Sequence, residues 1–268
     1  MNNLTILIPS IGRDSLFKSV ENLLPLDCKI HILATGQVGE EFWTKYDKLS
    51  EVAPERITCS YLEQRLNAGL AKQYLIDQVD TDLFMVLDDD DTLLIEHLKL
   101  GVRIMNTSEC NWVCHKGGHE EKGSLLAAVN NLEQLESSLF EYDKWDPKYE
   151  MSHLYPTSAC IVRTEKFKGL NNHYTLPYGD DIVPITDYMI NYPNGVFFMT
   201  PSLIYQSTED SVSRKYRKPE ELDVLLIDLA SKMMNSIDKR EYRIWMRCLD
   251  NMIKRVKHIN SKFNRENE

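Results

Sequence analysis

An α/β domain on a mostly parallel sheet, followed by a helical C-terminal extension, is the fold class this sequence predicts. Three observations carry the prediction. Apolar runs of strand length alternate with helically spaced segments four times in the first ninety residues, the signature of strand–helix–strand units. The runs are short and are ended by proline or by polar clusters, as buried strands are. From Pro219 to about Asn264 only helical spacing remains. The boundaries drawn from this pattern are 1–216 for the α/β domain and 217–268 for the extension. A chain of 268 residues, 43% hydrophobic and 27% charged, has ordinary globular composition and can bury a sizeable core.

The elements follow in order. "LTILIP" (4–9) is an apolar run closed by proline and predicts the first strand. Residues 14–24 place apolar side chains at 16, 17, 20, 23 and 24, which is helical spacing with Asp14 as N-cap. "KIHILAT" (29–35) predicts a second strand, "GEEFWTKYDKL" a helix and "RITCSYL" (56–62) a third strand. "NAGLAKQYLIDQV" (67–79) reads as a helix capped by Asn67, and "LFMVLD" (83–88) as a fourth strand.

The second half is less regular. Helices are predicted over 92–105, 130–142 and 181–192, the last with Pro184 in its first turn. Strands are predicted at 111–115 and 157–163, and as a pair within 195–207. There is no internal repeat, low-complexity tract or linker.

The totals exclude some classes. No stretch of eighteen apolar residues exists, so no membrane-spanning helix is expected. The N-terminus has too short an apolar run and no basic flank for a signal peptide. Six cysteines, mostly inside apolar runs, read as reduced thiols rather than a disulfide framework. The expected location is therefore the cytoplasm, with peripheral attachment at a membrane left open. The net charge of −10 argues against a general nucleic-acid binder. Yet residues 239–268 hold nine Lys/Arg against four Asp/Glu, a basic tail on an acidic body.

The most informative stretch is "FMVLDDDDTLL" (84–94), in which an apolar strand runs into Asp88, Asp89, Asp90 and Asp91. Like charges repel, and a buried carboxylate is costly unless paired. A charged strand-to-helix turn, with Asp91 or Thr92 capping the next helix, accounts for one or two of them. A divalent cation accounts for more. Mg²⁺ or Mn²⁺ takes one or two carboxylates and completes its shell with substrate phosphates. In a parallel sheet, ligands sit at the carboxyl ends of the strands, where these aspartates fall.

"LTILIPSIGR" followed by "RLNAGLAKQYLIDQVDTDLFMVLDDDD" resembles the amino-terminal half of a family 2 glycosyltransferase of the GT-A fold, a nucleotide-diphospho-sugar transferase with a Rossmann-like sheet. The resemblance covers about residues 3 to 214. It implies transfer of a sugar from a nucleotide donor, with a UDP-sugar and Mn²⁺ or Mg²⁺ as the family tendency. It makes Asp88 and Asp90 the Asp-x-Asp pair, with Asp90 the direct metal ligand, Asp88 near the ribose and Asp91 a trailing acid. Asp89 joins Pro9, Arg13, Thr35, Arg65, Asn67, Gly69, Lys72 and Arg214 in the set expected to bind the donor. In "TSACIVRTEKFKGLNNHYTLPYGDDIVPITDYMI", Gly179-Asp180-Asp181 stands where the family has a Glu-Asp pair. That match makes Asp181 the general base for the acceptor hydroxyl and puts Asp180 in the glutamate position.

The sequence departs from the family in three places. No carboxylate follows the second strand in "ILATGQ", so Thr35 or Gln37 would have to meet the base. The family's Arg-Asn pair is Lys72-Gln73 here. "YQSTEDSVSR" (205–214) keeps the serines and has Thr208 or Glu209 in place of a histidine. Arg214 and Lys215 could reach the diphosphate from this loop.

Other features admit plainer explanations. Cys110, Cys114, His115 and His119 have the residue types of a zinc site, but a strand with buried thiols explains them better. Arg65-x-Asn67-x-Gly69 is either a structural helix start or an anion site. Trp145 and Tyr149 could stack on a sugar or lie over the core.

The sequence thus predicts an inverting, metal-dependent hexosyl- or pentosyltransferase acting on a glycan, a lipid-linked sugar or a modified DNA base. A nucleotidyltransferase and a non-catalytic glycan- or nucleotide-binding protein are the rival readings. The basic C-terminal helix could pack on the domain, contact a polyanion such as DNA or teichoic acid, lie on a membrane surface, or meet a second subunit.

Overall fold

The computed structural model describes residues 2–119, 139–142, 160–170, 182–205 and 219–266. Statements about the structure refer to these residues. Four strands, β1 (Leu4–Ser10), β2 (Lys29–Thr35), β3 (Ile57–Leu62) and β4 (Leu83–Val86), alternate with helices α1 (Ser15–Leu23), α2 (Glu40–Val52) and α3 (Ala68–Asp77). They pair in parallel in the order β3-β2-β1-β4. The side chains of β1 and β4 are almost wholly buried, as expected for strands covered on both faces. Burying each Leu or Ile in them contributes roughly 1.5–3 kcal/mol.

The sheet then continues as a mixed one. β8 (Cys160–Arg163) runs antiparallel to β4, and β6 (Trp112–His119) runs antiparallel to β8. β9 (Gly195–Tyr205) lies parallel to β6. Along its far edge β9 takes β7 (Leu139–Tyr142) at its start and β5 (Asp91–Leu93) at its end, both antiparallel. The mostly parallel, Rossmann-like character resides in the amino-terminal half, and the α/β fold class is as expected.

Three expectations need correction. Residues 139–142, read as the end of a helix, form β7. Residues 195–205, read as two strands, form one long strand whose pairing with β6 shifts register between Cys114 and Gly117. The helix expected from residue 92 is α4 (Ile95–Thr107), with Leu94 at its cap position. Asp91 and Thr92 belong instead to β5, so neither caps that helix. At α1, Asp14 holds the cap position but makes no side-chain cap bond, and it pairs with Lys45 Nζ at 2.7 Å.

The remaining helices are α5 (Thr164–Lys168), α6 (Ile182–Asn191), α7 (Pro219–Met234) and α8 (Lys239–Glu266). The apolar stripes Leu222/Leu225/Leu229 of α7 and Ile244/Trp245/Cys248/Met252 of α8 are buried in the same core as the sheet. Packing on the domain is therefore one role of the C-terminal helix. The proposed boundary at 216/217 lies outside the described residues. All six cysteines are free and five are buried. Burial pushes Cys28 and Cys248 up to about 12 and Cys59 to about 11, so these thiols stay protonated near neutrality. No helix among the described residues is long and apolar enough to cross a membrane.

Candidate active site

β1 and β4 are neighbours in parallel register, Leu7 beside Val86, so the chain leaves both at the same edge of the sheet. The aspartates follow β4 there. Leu87 continues the ladder, its amide donating to the Leu7 carbonyl at 2.9 Å, and the Asp91 amide closes a turn on the Asp88 carbonyl at 3.1 Å.

The turn is bound to the end of β1 and to α1. Ser10 Oγ donates to Asp89 Oδ2 at 2.5 Å and accepts the Gly12 amide at 3.0 Å. Arg13 Nη1 donates to Asp89 Oδ1 at 3.1 Å and to Asp90 Oδ2 at 3.4 Å. Ser19 Oγ, on the buried face of α1, donates to the Asp91 carbonyl at 2.8 Å. Lys72 of α3 is buried, with its Nζ 3.5 Å from Asp88 Oδ1. The result is an alternation: the Asp88 side chain is 42% exposed and that of Asp90 14%, against 7% for Asp89 and 3% for Asp91 as a residue.

Electrostatics follow the same division. Burial raises the Asp89 carboxyl to about 6, opposed by the Ser10 hydrogen bond and the Arg13 charge. Burial also holds Asp91 well above the usual carboxylate range. Asp88 and Asp90 raise it further, and Lys72 opposes the rise. Even with Asp91 held toward its neutral form, Asp88, Asp89 and Asp90 outnumber the two cations they pair with, Arg13 and Lys72. Among the described residues no group of three or more His, Cys, Asp or Glu side chains forms a metal cage. A cation that needs only one or two carboxylates and takes the rest of its shell from phosphate and water is compatible with this donor set, Asp88 being its most open member.

The other predicted residues distribute around this edge. Pro9 is half-buried in β1 beside Leu33 of β2. Thr35 is buried at the end of β2, and Gln37 just beyond it is exposed. Between them Gly36 turns at φ +85, a left-handed conformation that favours glycine, and its amide donates to the Leu62 carbonyl at 2.9 Å. Arg65 is exposed and passes beside Gly36: a Cβ on Gly36 would lie 3.6 Å from the Arg65 Cβ. Asn67 caps α3, its Oδ1 accepting the Leu70 amide at 2.8 Å, and Gly69 is buried one residue before Leu70.

Asp180, Asp181, Arg214, Lys215, Thr208, Glu209, Trp145 and Tyr149 lie outside the described residues. Cys114 stands opposite Cys160 across β6 and β8, Sγ to Sγ 2.9 Å.

Several residues escaped the sequence reading. Ser19 was detectable, because the spacing of 16, 20 and 23 puts it on the apolar face of α1. Ser10 carried a weaker signal, a small hydroxyl directly after the first strand's proline. The link between α6 and the C-terminal helices carried none. There Lys232 pairs with Asp187, Lys232 Nζ lies 5.8 Å from the Trp245 ring centre, and Thr186 hydrogen-bonds Cys248. These contacts hold the helix that begins one residue after Asp181.

No family model matches the chain, and no curated protein is similar to it in sequence. Solved structures are similar in fold. TarS residues 1–349 of S. aureus, in complex with UDP-GlcNAc, superposes with a TM-score of 0.72 at 13% identity, over 95% of this chain and 72% of that one. The mannosyltransferase PcManGT of Pyrobaculum calidifontis, with GDP-Man and Mn²⁺, gives 0.62 at 10% identity, over 97% and 75%. Glucosyl-3-phosphoglycerate synthase of Mycobacterium tuberculosis, with Mg²⁺ and UDP, gives 0.54 at 13%, over 85% and 79%. These neighbours are GT-A glycosyltransferases, and the chain has the GT-A fold.

Proposed function

We propose that this chain of GT-A fold transfers a sugar from a nucleotide-diphosphate donor to a hydroxyl acceptor. The observation that carries the reading is the aspartate turn at the shared edge of β1 and β4, where Asp89 and Asp91 are buried and Asp88 and Asp90 are less so. Asp88 and Asp90 are the residues that would hold Mn²⁺ or Mg²⁺. A divalent cation bound there would neutralise charge on the departing diphosphate.

The protein's own groups have distinct tasks. Arg13 and Ser10 hold Asp89, and so fix the turn that presents Asp88 and Asp90. Lys72 supplies a buried positive charge beside Asp88. Arg65 and the backbone at Gly36, beyond the ends of β3 and β2, would meet the nucleoside, with Thr35, Gln37 and Pro9 along the same edge. Asn67 and Gly69 shape the start of α3. Arg214 is proposed to contact the diphosphate. Asp181, with Asp180 beside it, takes the proton from the acceptor hydroxyl as its oxygen bonds the anomeric carbon and the bond to the diphosphate breaks. A single displacement of this kind inverts the anomeric centre. The donor we favour is a UDP-sugar, since two of the three neighbours described were solved with UDP or UDP-GlcNAc.

The test is nucleoside diphosphate release from a panel of UDP- and GDP-sugars, with Mn²⁺ and with chelator. Metal-dependent release from one donor is expected. Pyrophosphate release instead would indicate nucleotidyl transfer. Donor binding without turnover, even with acceptors added, would indicate a binding protein. Failure of every donor to bind in the presence of metal would overturn the reading.

A further inference from the structure

The turn between α7 and α8 carries an exposed apolar surface outside the site described above. Most large apolar side chains left exposed among the described residues sit on this one helical pair: Val224, Ile227, Met234, Ile237, Tyr242 and Met246. The two most exposed are at the turn itself, Ile237 at 94% and Met234 at 80%. The turn is firmly built. Asp238 Oδ1 accepts the amides of Arg240 and Glu241, each at 2.8 Å, and Glu241 Oε2 accepts the Ile237 amide at 2.8 Å. Reciprocal capping of this kind pins the start of α8 and holds Ile237 outside. Both acidic side chains of the turn are engaged as caps. Lys239, Arg240 and Arg243 are exposed beside the apolar group.

We propose that this turn docks the protein on an anionic lipid surface, with Ile237 and Met234 entering the interface and Lys239, Arg240 and Arg243 meeting the headgroups. Apolar side chains interleaved with basic ones are what such a surface selects. The chain as a whole carries −10, so attraction to an anionic bilayer has to come from a local, oriented patch. Two other occupants fit less well. A symmetric second copy would bring the like-charged Lys239, Arg240 and Arg243 of two molecules into one interface. A nucleic acid or other polyanion would use the basic residues and leave Ile237 and Met234 without a role.

The test is sedimentation of the full chain with phosphatidylglycerol–phosphatidylcholine vesicles and with phosphatidylcholine vesicles alone. It is independent of whether donor turnover is observed. Binding to the anionic vesicles alone is expected. It should fall about tenfold or more in Ile237→Asp/Met234→Asp and in Arg240→Glu/Arg243→Glu. It should be unchanged in Val52→Asp, which alters another solvent-facing apolar side chain, at the end of α2. Circular dichroism confirms that each variant is folded. Absence of binding to anionic vesicles, or equal binding by all variants, overturns the proposal. So does a lipid-free dimer dispersed by Ile237→Asp, which assigns the patch to a second copy. DNA binding that needs the arginines but not Ile237 overturns it as well.

Discussion

Asp89 and Asp91 are turned into the protein, where Ser10 and Arg13 hold the first and the β5–β9 pairing encloses the second. Asp88 and Asp90 alternate with them and are the less buried pair. Asp88 is the most exposed of the four, and Asp90 shares Arg13 with Asp89. The difference shows how a run of like charges is tolerated at the mouth of a core strand. Asp89 is fixed by Ser10 and Arg13 and Asp91 by its place in β5, while the less buried pair meets one cation each, Asp90 with Arg13 and Asp88 with Lys72. The inward pair belongs to the fold, and in our reading the outward pair belongs to the reaction.

The largest effect expected from this division is kinetic. Asp90→Asn should lower donor turnover by about a hundredfold or more, with a melting temperature within about 2 °C of wild type. A large loss of stability with turnover retained would reverse the assignment.

The next expectation concerns a buried group of α4, as a control. Burial lowers His97 from 6.5 to about 4. The unfolded chain binds this proton first, so the stability from keeping His97 neutral is fully present above about 6.5. It is lost as pH falls through the folded value, by at most about 3 kcal/mol. Burial of Asp89 and Asp91 acts with the opposite sign over the same interval, so the loss is read as the difference between wild type and His97→Gln in denaturant titrations at pH 7 and pH 4. A slope unchanged in the variant would place the acid sensitivity elsewhere.

Arg13→Met leaves the buried Asp89 with Ser10 but without its cation. It should cost about 2 kcal/mol in chemical denaturation, less than the loss of a fully buried ion pair because Arg13 is partly exposed. An equal loss in Asp88→Asn would erase the distinction between inward and outward residues. The smallest effect is at Gly36→Ala, where a Cβ has room but the φ of +85 does not suit it. About 1 kcal/mol is expected, measurable as a small shift in the same denaturation midpoint.

Much of the fold was readable because the amino-terminal half obeys simple periods. The second strand was expected at 29–35 and is found there, and Asn67 caps α3 as its side chain suggested. The failures share a cause. β5 is three residues long, and its partner in β9 lies more than a hundred residues away. Nothing local distinguishes "DTL" from the start of a helix. "LFEY" was assigned to a helix because its neighbours have helical spacing, yet pairing with β9 decides it. At the site, the aspartates and Asn67 announced themselves by type and position. Lys72, which could have been a solvated helix lysine, is buried because α3 packs against β1 and β2. The Asp187–Lys232 pair joins positions 45 residues apart, and no spacing rule reaches it.

The division of the aspartates is tested most directly by calorimetric titration of UDP in the presence of Mn²⁺ against wild type, Asp88→Asn/Asp90→Asn and Asp89→Asn. We expect metal-dependent binding in wild type, its loss in the outward double variant, and its retention within about tenfold in Asp89→Asn. Binding that survives in the outward variant and vanishes in Asp89→Asn would contradict the account.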